Sequence, residues 1–281
     1  MEKLKRVRAP VRIDFGGGTT DISPFRDKYG GCVLNACINR YVDGRIVKTN
    51  DRVHLEYTGN APTSSGLGTS SAMNVVWVAL ITKLKNRAKI AEAVFNIEQS
   101  VKESSVNGKQ DQYASAFGGI NFMRFNGDKV KVERLKLKKD FIKEFEERLV
   151  LVYSGKSHYS GSSNKTAIDN LKKGRNVENL IRIKNIAVEM KRALVKEDLN
   201  EFAELMNNET EERRRLSKVI VSSQLQRIIE SGLKCGGVGA KVCGSGGGGS
   251  ILFLGNKGKL KKRFKEKVID FKFDFEGLRW L

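Results

Sequence analysis

From Thr63 to Ser71, six hydroxyl side chains and two glycines fall within nine positions. The stretch, Pro62-Thr63-Ser64-Ser65-Gly66-Leu67-Gly68-Thr69-Ser70-Ser71, runs straight into Ala72–Lys85, which is apolar nearly all round and reads as a buried helix. The first amides of a helix have no intrahelical partner, and its dipole favours anions. Glycine lets backbone approach a phosphate closely, and hydroxyls donate to phosphate oxygens or bind Mg2+. The stretch therefore has the parts of an anion cradle. An ordinary capped helix would need one such hydroxyl, not six.

Two further glycine stations carry charged side chains. Arg12-Ile13-Asp14-Phe15-Gly16-Gly17-Gly18-Thr19-Thr20-Asp21 ends a strand in three glycines and then a carboxylate. That carboxylate can hold sugar hydroxyls, and the arginine can hold phosphate or orient another carboxylate. A glycine turn closed by an Asx-type contact is the plainer alternative. Gly108-Lys109-Gln110-Asp111-Gln112 sets an aspartate between two amides after a glycine turn. Near a substrate hydroxyl it can accept the proton; otherwise it is an acidic residue at a helix N-terminus. Ser154-Gly155-Lys156-Ser157 follows a strand as a Walker loop would, but the first glycine of that motif falls on Val150. The glycine-rich run Gly244–Gly249 precedes a strand rather than a helix, which argues against a dinucleotide fingerprint.

The elements that must position these residues follow from periodicity. Val7–Phe15, Val33–Ile38, Tyr41–Thr49 and Arg52–Tyr57 read as strands. Ile90–Ser104 reads as a helix, Gln110–Phe117 as a short one, Gly119–Phe125 as a strand and Leu149–Tyr153 as a buried strand. Val177–Asn207 and Glu209–Ser231 read as long amphipathic helices, Ser250–Leu254 as a strand, Gly258–Lys267 as a basic helix and Val268–Phe275 as a strand. Strands and helices interleave without regular βαβ repetition. The expectation is an α+β chain in two lobes, residues 1–148 with the hydroxyl loop 62–71 and residues 149–281 with the glycine motif 239–250.

Composition narrows the classes. The chain has 281 residues, 28 of them Gly against three Pro, and 30% charged residues, which suits a globular fold. Its net charge of +20 favours an anionic partner or reflects a Lys-rich solvated surface. The basic runs Lys129–Lys139 and Lys257–Lys267 alternate with apolar residues and read as solvated faces. Basic residues nowhere alternate with aromatics, so no nucleic-acid partner is expected. The longest apolar run, Val75–Ile81, is too short to span a membrane. With no secretory pattern behind Met1–Arg12, a cytoplasmic location is expected. Cys32, Cys37, Cys235 and Cys243 have neither zinc nor disulfide spacing and read as free thiols. With His54 and His158 as the only histidines, a His-based triad or metal site is disfavoured.

In this order the stations resemble the superfamily of galactokinase, homoserine kinase, mevalonate kinase and phosphomevalonate kinase. The family's phosphate loop, P-x-x-x-G-L-G-S-S-A, stands here as PTSSGLGTSSA, Pro62–Ala72, and its late glycine motif as GAKVCGSGGGGSILFL, Gly239–Leu254. Within the superfamily, RAPVRIDFGGGTTDISPF, YGGCVLNACINRY and GKQDQYASAFGGINF are most similar to the D-glycero-D-manno-heptose 7-phosphate kinase branch. The galactokinase branch has Glu-His where this chain has Gly17-Gly18. The resemblance covers nearly the whole chain. It implies two lobes with ATP and acceptor meeting in the cleft between them, ATP held along Pro62, Ser64, Ser65, Gly66, Leu67, Gly68, Thr69, Ser70 and Ser71, and Mg2+ held by Ser70 and Glu98. It further implies Asp111 as the catalytic aspartate, Arg12 paired with it, Asp21 on the sugar, and acceptor contacts from Gly17, Gly18, Gly246 and Gly247. Lys156 and the hydroxyls that follow it are candidates for a sugar phosphate.

The implied reaction is ATP-dependent phosphorylation of a hydroxyl on a sugar or sugar phosphate, a heptose 7-phosphate first. An unphosphorylated hexose, a mevalonate-type alcohol, and a non-catalytic sugar sensor of the same fold stay open. The implied assembly is a monomer or homodimer. Two departures from the branch stand out: Glu98 lies thirteen residues before Asp111, one more than usual, and His158 stands where the branch usually has arginine.

Overall fold

The computed structural model describes residues 5–48, 52–101, 107–155, 160–217 and 219–281. In chain order they form β1 (Lys5–Gly16), α1 (Phe25–Tyr29), β2 (Gly31–Lys48), β3 (Val53–Gly59), α2 (Thr69–Ile81), α3 (Arg87–Val101), α4 (Gln110–Phe117), β4 (Ile120–Asn126) and β5 (Lys129–Arg134). There follow α5 (Lys139–Arg148), β6 (Leu149–Tyr153), α6 (Ser160–Lys172), α7 (Val177–Val195), α8 (Leu199–Leu216), α9 (Ser223–Lys234), β7 (Gly237–Val242), β8 (Ser250–Gly255), α10 (Lys257–Phe264), β9 (Val268–Ile269) and β10 (Arg279–Trp280).

Two sheets carry the site. The first runs β10-β1-β2-β4-β5, with β3 on the free half of β2, and the second runs β7-β8-β6-β9. The α+β architecture read from the sequence is the one observed. β6 shows why its sequence is continuously apolar. Leu149 and Leu151 join the core that packs the first sheet, while Val150 and Val152 join a second core with Ile251 and Phe253. A strand covered on both faces loses its alternation. The first core draws on both halves of the chain, from Val7 through Phe202 to Leu278.

The structure differs from the sequence expectations in five places. The strands expected at 33–38 and 41–49 are one, β2, because Asn39 and Arg40 form a bulge where the β1 register shifts between Pro10 and Val11. The tail fills that bulge. Asn39 N–H donates to the Lys272 carbonyl at 2.8 Å, and Asp274 N–H donates to the Cys37 carbonyl at 2.9 Å. The strand expected at 268–275 therefore ladders only at Val268–Ile269 before crossing over. The long helix expected at 177–207 breaks at Glu197, φ 62°, and restarts where Asp198 caps the Asn200 and Glu201 amides. Ser222 likewise caps α9 and splits the helix expected at 209–231. Finally, Lys139–Arg148 is a helix, with Phe141 and Phe145 one turn apart and both buried.

Helix α2 begins at Thr69, one turn before the expected Ala72, so Thr69, Ser70 and Ser71 lie in its first turn behind Gly68. The basic run at 257–267 makes α10 and a short 3-10 turn, with Leu260 and Phe264 buried. Lys129 and Lys131 lie on the edge strand β5, where charge discourages strand addition. No described helix is long and apolar enough to cross a membrane. The four cysteines are free.

Candidate active site

A cleft of about 460 Å³ opens where the three glycine stations converge. Its walls include Arg12, Gly18, Thr19 and Asp21 from the end of β1, Ser64 through Ser71 from the phosphate loop and α2, Gln110–Gln112 from α4, and Cys243–Gly246 from the loop after β7.

Helix α4 fixes three carboxylates with its first turn. Gln110 N–H donates to Asp21 Oδ2 at 3.0 Å. Asp111 Oδ1 accepts from Arg12 Nε at 2.8 Å and lies 2.7 Å from Nη2. Gln112 Nε2 donates to Glu98 Oε2 at 2.5 Å. The turn itself is anchored away from the cleft by Lys109, 1% exposed, which donates to both Glu92 oxygens at 3.1 and 2.9 Å and to the Asp128 carbonyl. Lys109 is thus a buried anchor, a role its place in a glycine turn gave no sign of.

The Arg12 guanidinium, buried, also donates to the Gly66 carbonyl at 2.5 Å, and its backbone N–H donates to the Leu67 carbonyl at 3.0 Å. One strand residue therefore ties the carboxylate of Asp111 to the phosphate loop. Gly68, φ 71°, makes this approach feasible, since a Cβ there would lie 3.2 Å from Asp111 Oδ2. Gly66 packs just as closely on Gly244, whose Cβ would fall 2.7 Å from the Gly66 carbonyl oxygen. The Gly244 peptide is held at both ends, its N–H by Asp14 Oδ1 at 2.8 Å and its carbonyl by Arg213 Nη2 at 2.6 Å. Asp14 also takes Lys241 Nζ at 2.8 Å, both side chains fully buried. None of Asp14, Glu209, Arg213 and Lys241 was expected at the site.

Electrostatics separates the carboxyls. Burial lifts Asp21 to about 6; nearby Asp111 adds to the shift and the Gln110 amide opposes it. Burial also raises Glu98, against hydrogen bonds from Asn74, Gln112 and Ser71. Burial works against charge on Asp14 too, but Lys241, Arg12 and Arg213 hold it at about 2. Cys243, in the cleft wall, is pushed up to about 12 by burial, with Asp14 adding, and stays a neutral thiol.

Placement of the sequence candidates is uneven. Arg12, Gly18, Asp21, Ser64, Ser65, Gly66, Leu67, Gly68, Thr69, Ser70, Ser71, Glu98, Asp111 and Gly246 all line the cleft. Pro62, Gly17 and Gly247 are not among its walls. Gly17 packs against β2, where a Cβ would fall 1.9 Å from the Cys32 carbonyl oxygen, and Gly247 N–H is spent on the Ile220 carbonyl at 2.8 Å. Ser70 is exposed, and the hydroxyl that reaches Glu98 is that of Ser71, at 3.3 Å. Ser71 and Asn74, three residues apart, share the face of α2 turned to Glu98. Lys156 and His158 lie outside the described residues.

The cradle fits a nucleotide's phosphates and a divalent cation. Ser65 Oγ and Thr69 Oγ1 are buried at the head of α2 with no hydrogen-bond partner, as donors awaiting an anion would be. Glu98 is held by neutral donors, with its negative charge left for a cation.

Residues 32–119 match the family "GHMP kinases N terminal domain", and residues 190–273 match "GHMP kinases C terminal". The chain is 29% identical to the D-glycero-alpha-D-manno-heptose 7-phosphate kinase of Campylobacter jejuni, over 99% of this chain and 98% of that one. Among solved structures, a D-glycero-D-manno-heptose 1-phosphate kinase from Bacteriodes thetaiotaomicron superposes with a TM-score of 0.76 at 26% identity, covering 99% of this chain and 98% of the other. A putative sugar kinase from Campylobacter jejuni superposes at 0.77, also at 26% identity and with the same coverage. With both halves matched and the phosphate loop, late glycine loop and paired Arg12–Asp111 meeting in one cleft, the chain belongs to the GHMP kinase family.

Proposed function

We propose that the chain uses ATP and Mg2+ to phosphorylate a hydroxyl of a sugar phosphate, with a heptose phosphate as the favoured acceptor. The observation that carries the chemistry is the Arg12–Asp111 pair, fastened through Arg12 to the Gly66 carbonyl of the phosphate loop. The relatives at 26–29% identity, named for heptose 7-phosphate and heptose 1-phosphate, support the acceptor.

Phosphoryl transfer asks a protein mainly for alignment and charge compensation. Asp111, its side chain 26% exposed, orients the acceptor hydroxyl and takes up its proton. Arg12 fixes the Asp111 carboxylate and offsets the charge that gathers beside it. Asp21, buried at the acceptor end, receives sugar hydroxyls. The amides and hydroxyls of Ser65–Ser71 hold the phosphate chain. Ser71 and Glu98 would hold Mg2+, which neutralises phosphate charge when bound.

Two results are expected from this arrangement. Ser71→Ala raises the Mg2+ concentration needed for half-maximal rate by about 2–10-fold, the worth of one hydrogen bond, and exceeds the effect of Ser64→Ala. A Mg2+ titration at saturating ATP reads this directly, and equal effects would detach Ser71 from the metal. The second concerns pH. Asp21 accepts from sugar hydroxyls more strongly when ionised, and burial lifts it to about 6. The acceptor KM therefore falls as pH rises from 5 to 7, while Asp21→Asn flattens that dependence. A wild-type KM that is level across this range would contradict the assignment.

Initial rates with Mg·ATP over matched free and phosphorylated hexoses and heptoses test the acceptor. The expected outcome is a specificity constant highest for a phosphorylated heptose. Equal use of free sugars would transfer the assignment to an unphosphorylated acceptor.

A further inference from the structure

A cation lies behind the acceptor loop with most of its hydrogen-bonding capacity unspent. Arg213, near the end of α8, is 1% exposed. Its Nη2 holds the Gly244 carbonyl, but Nε and Nη1 are buried without a hydrogen-bond partner. The carboxylate of Glu209 faces the Gly17 amide and stops 3.9 Å from Nη1, beyond hydrogen-bond reach. The neighbouring buried cation, Lys241, is committed to Asp14 at 2.8 Å and stands 3.7 Å from Glu209. Burial pushes the Glu209 carboxyl up, toward its neutral form, against the pull of Lys241 and Arg213. Arg213 thus shares Asp14 and Glu209 with Lys241, while its Nε and Nη1 face no acceptor.

Gly18 stands between this guanidinium and the cleft. A Cβ on Gly18 would come 2.9 Å from Arg213 Nη1, 3.1 Å from Asp14 Oδ2 and 3.7 Å from Gln110 Nε2. Gly18, Gln110 and Gly244 all line the cleft. Among the described residues in its walls, the charged side chains are Arg12, Asp21, Glu98 and Asp111. That is one cation, already bonded to Asp111, against three carboxylates. Against that set of described charges, the guanidinium behind Gly18 is placed to add positive potential toward an anionic acceptor.

We propose that Arg213 is a specificity-determining residue: through the thin wall at Gly18 its guanidinium supplies the positive potential that favours a phosphate-bearing acceptor over the neutral sugar. The proposal rests on the sugar-phosphate reading above. Attraction across a single glycine acts through protein rather than bulk water, so it is weakly screened. The charge of a guanidinium is permanent, which suits a fixed field better than a titrating group. The missing side chain at Gly18 belongs to the device, since a methyl there would hold the anion off and press on Nη1.

The test is steady-state kinetics with a pair of acceptors that differ only in their phosphate. Arg213→Met keeps the bulk and removes the charge. It is expected to raise KM for the phosphorylated acceptor about tenfold, on the order of the loss of one weakly screened charge interaction, while KM for ATP and for the free sugar moves less than about threefold. Arg213→Lys restores most of the discrimination. Gly18→Ala, which leaves the buried charges in place, is expected to raise the same KM and keeps the proposal testable if Arg213→Met does not fold. Equal losses on both acceptors, or a loss confined to ATP, would show that Arg213 only clamps Gly244 and would overturn the proposal. A wild type that already fails to discriminate would instead sink the sugar-phosphate reading.

Discussion

Replacing Asp111 by Asn lowers kcat by about 10²–10⁴-fold, the range for a lost general base, and leaves ATP affinity within a few-fold of wild type. Asparagine keeps the size of the side chain and one oxygen for Arg12, so the bond to Arg12 Nε at 2.8 Å has a substitute acceptor. What it lacks is a basic oxygen for the proton of the acceptor hydroxyl. It also removes the larger of the two counter-charges on Arg12, leaving Asp14, and that favours the hold on phosphate. Single-turnover rates read the first effect and equilibrium titration with a non-hydrolysable ATP analogue reads the second. Near-normal turnover would remove Asp111 from the reaction. A parallel collapse of ATP binding would make it a structural strut instead.

Asp14→Asn is the corresponding prediction for stability. Asp14 and Lys241 are fully buried and 2.8 Å apart, with Glu209 the next carboxylate to Lys241 at 3.7 Å. Removing one partner of a buried pair leaves a charge that water cannot reach, which costs about 3–5 kcal/mol. In a chain of this size that corresponds to a melting temperature lower by roughly 10 °C. The acid dependence has a defined sign. Asp14 titrates at about 2 in the fold, against 3.8 ordinarily. Its contribution is complete above pH 4 and is lost as pH falls toward 2. Urea unfolding at pH 7 and pH 3 should therefore show a gap between wild type and variant that narrows in acid. A difference below about 1 kcal/mol at pH 7 would mean that Lys241 is not carried as a buried charge.

The reach of the sequence differs from one part of the molecule to another, for physical reasons. The phosphate loop was legible because its chemistry is local, with hydroxyls, glycines and a helix start contiguous from Thr63 to Ser71. Arg12, Asp21 and Asp111 sit in glycine surroundings that left a plain structural reading open, and their joint placement came from resemblance; the structure brings all three to one cleft. The Asp14–Lys241 contact joins residues 227 positions apart, and charged residues on strands ordinarily read as solvated. Nothing local marks either as buried. The helix breaks at Glu197 and ahead of α9 were written in Asp198 followed by Glu201 and in Ser222, capping signals that continuous amphipathic periodicity concealed. Ser71 in place of Ser70 beside Glu98 follows from the helix starting at Thr69, since each residue turns the face by about 100°.

The most direct test of the account is to identify the product. Phosphorus NMR of a mixture of the protein, Mg·ATP and a heptose phosphate is predicted to show ADP and a second phosphoryl resonance on the sugar growing in equal amounts, with Asp111→Asn producing neither at a comparable rate. ADP accompanied only by inorganic phosphate, or a product formed as readily from the free sugar, would contradict it.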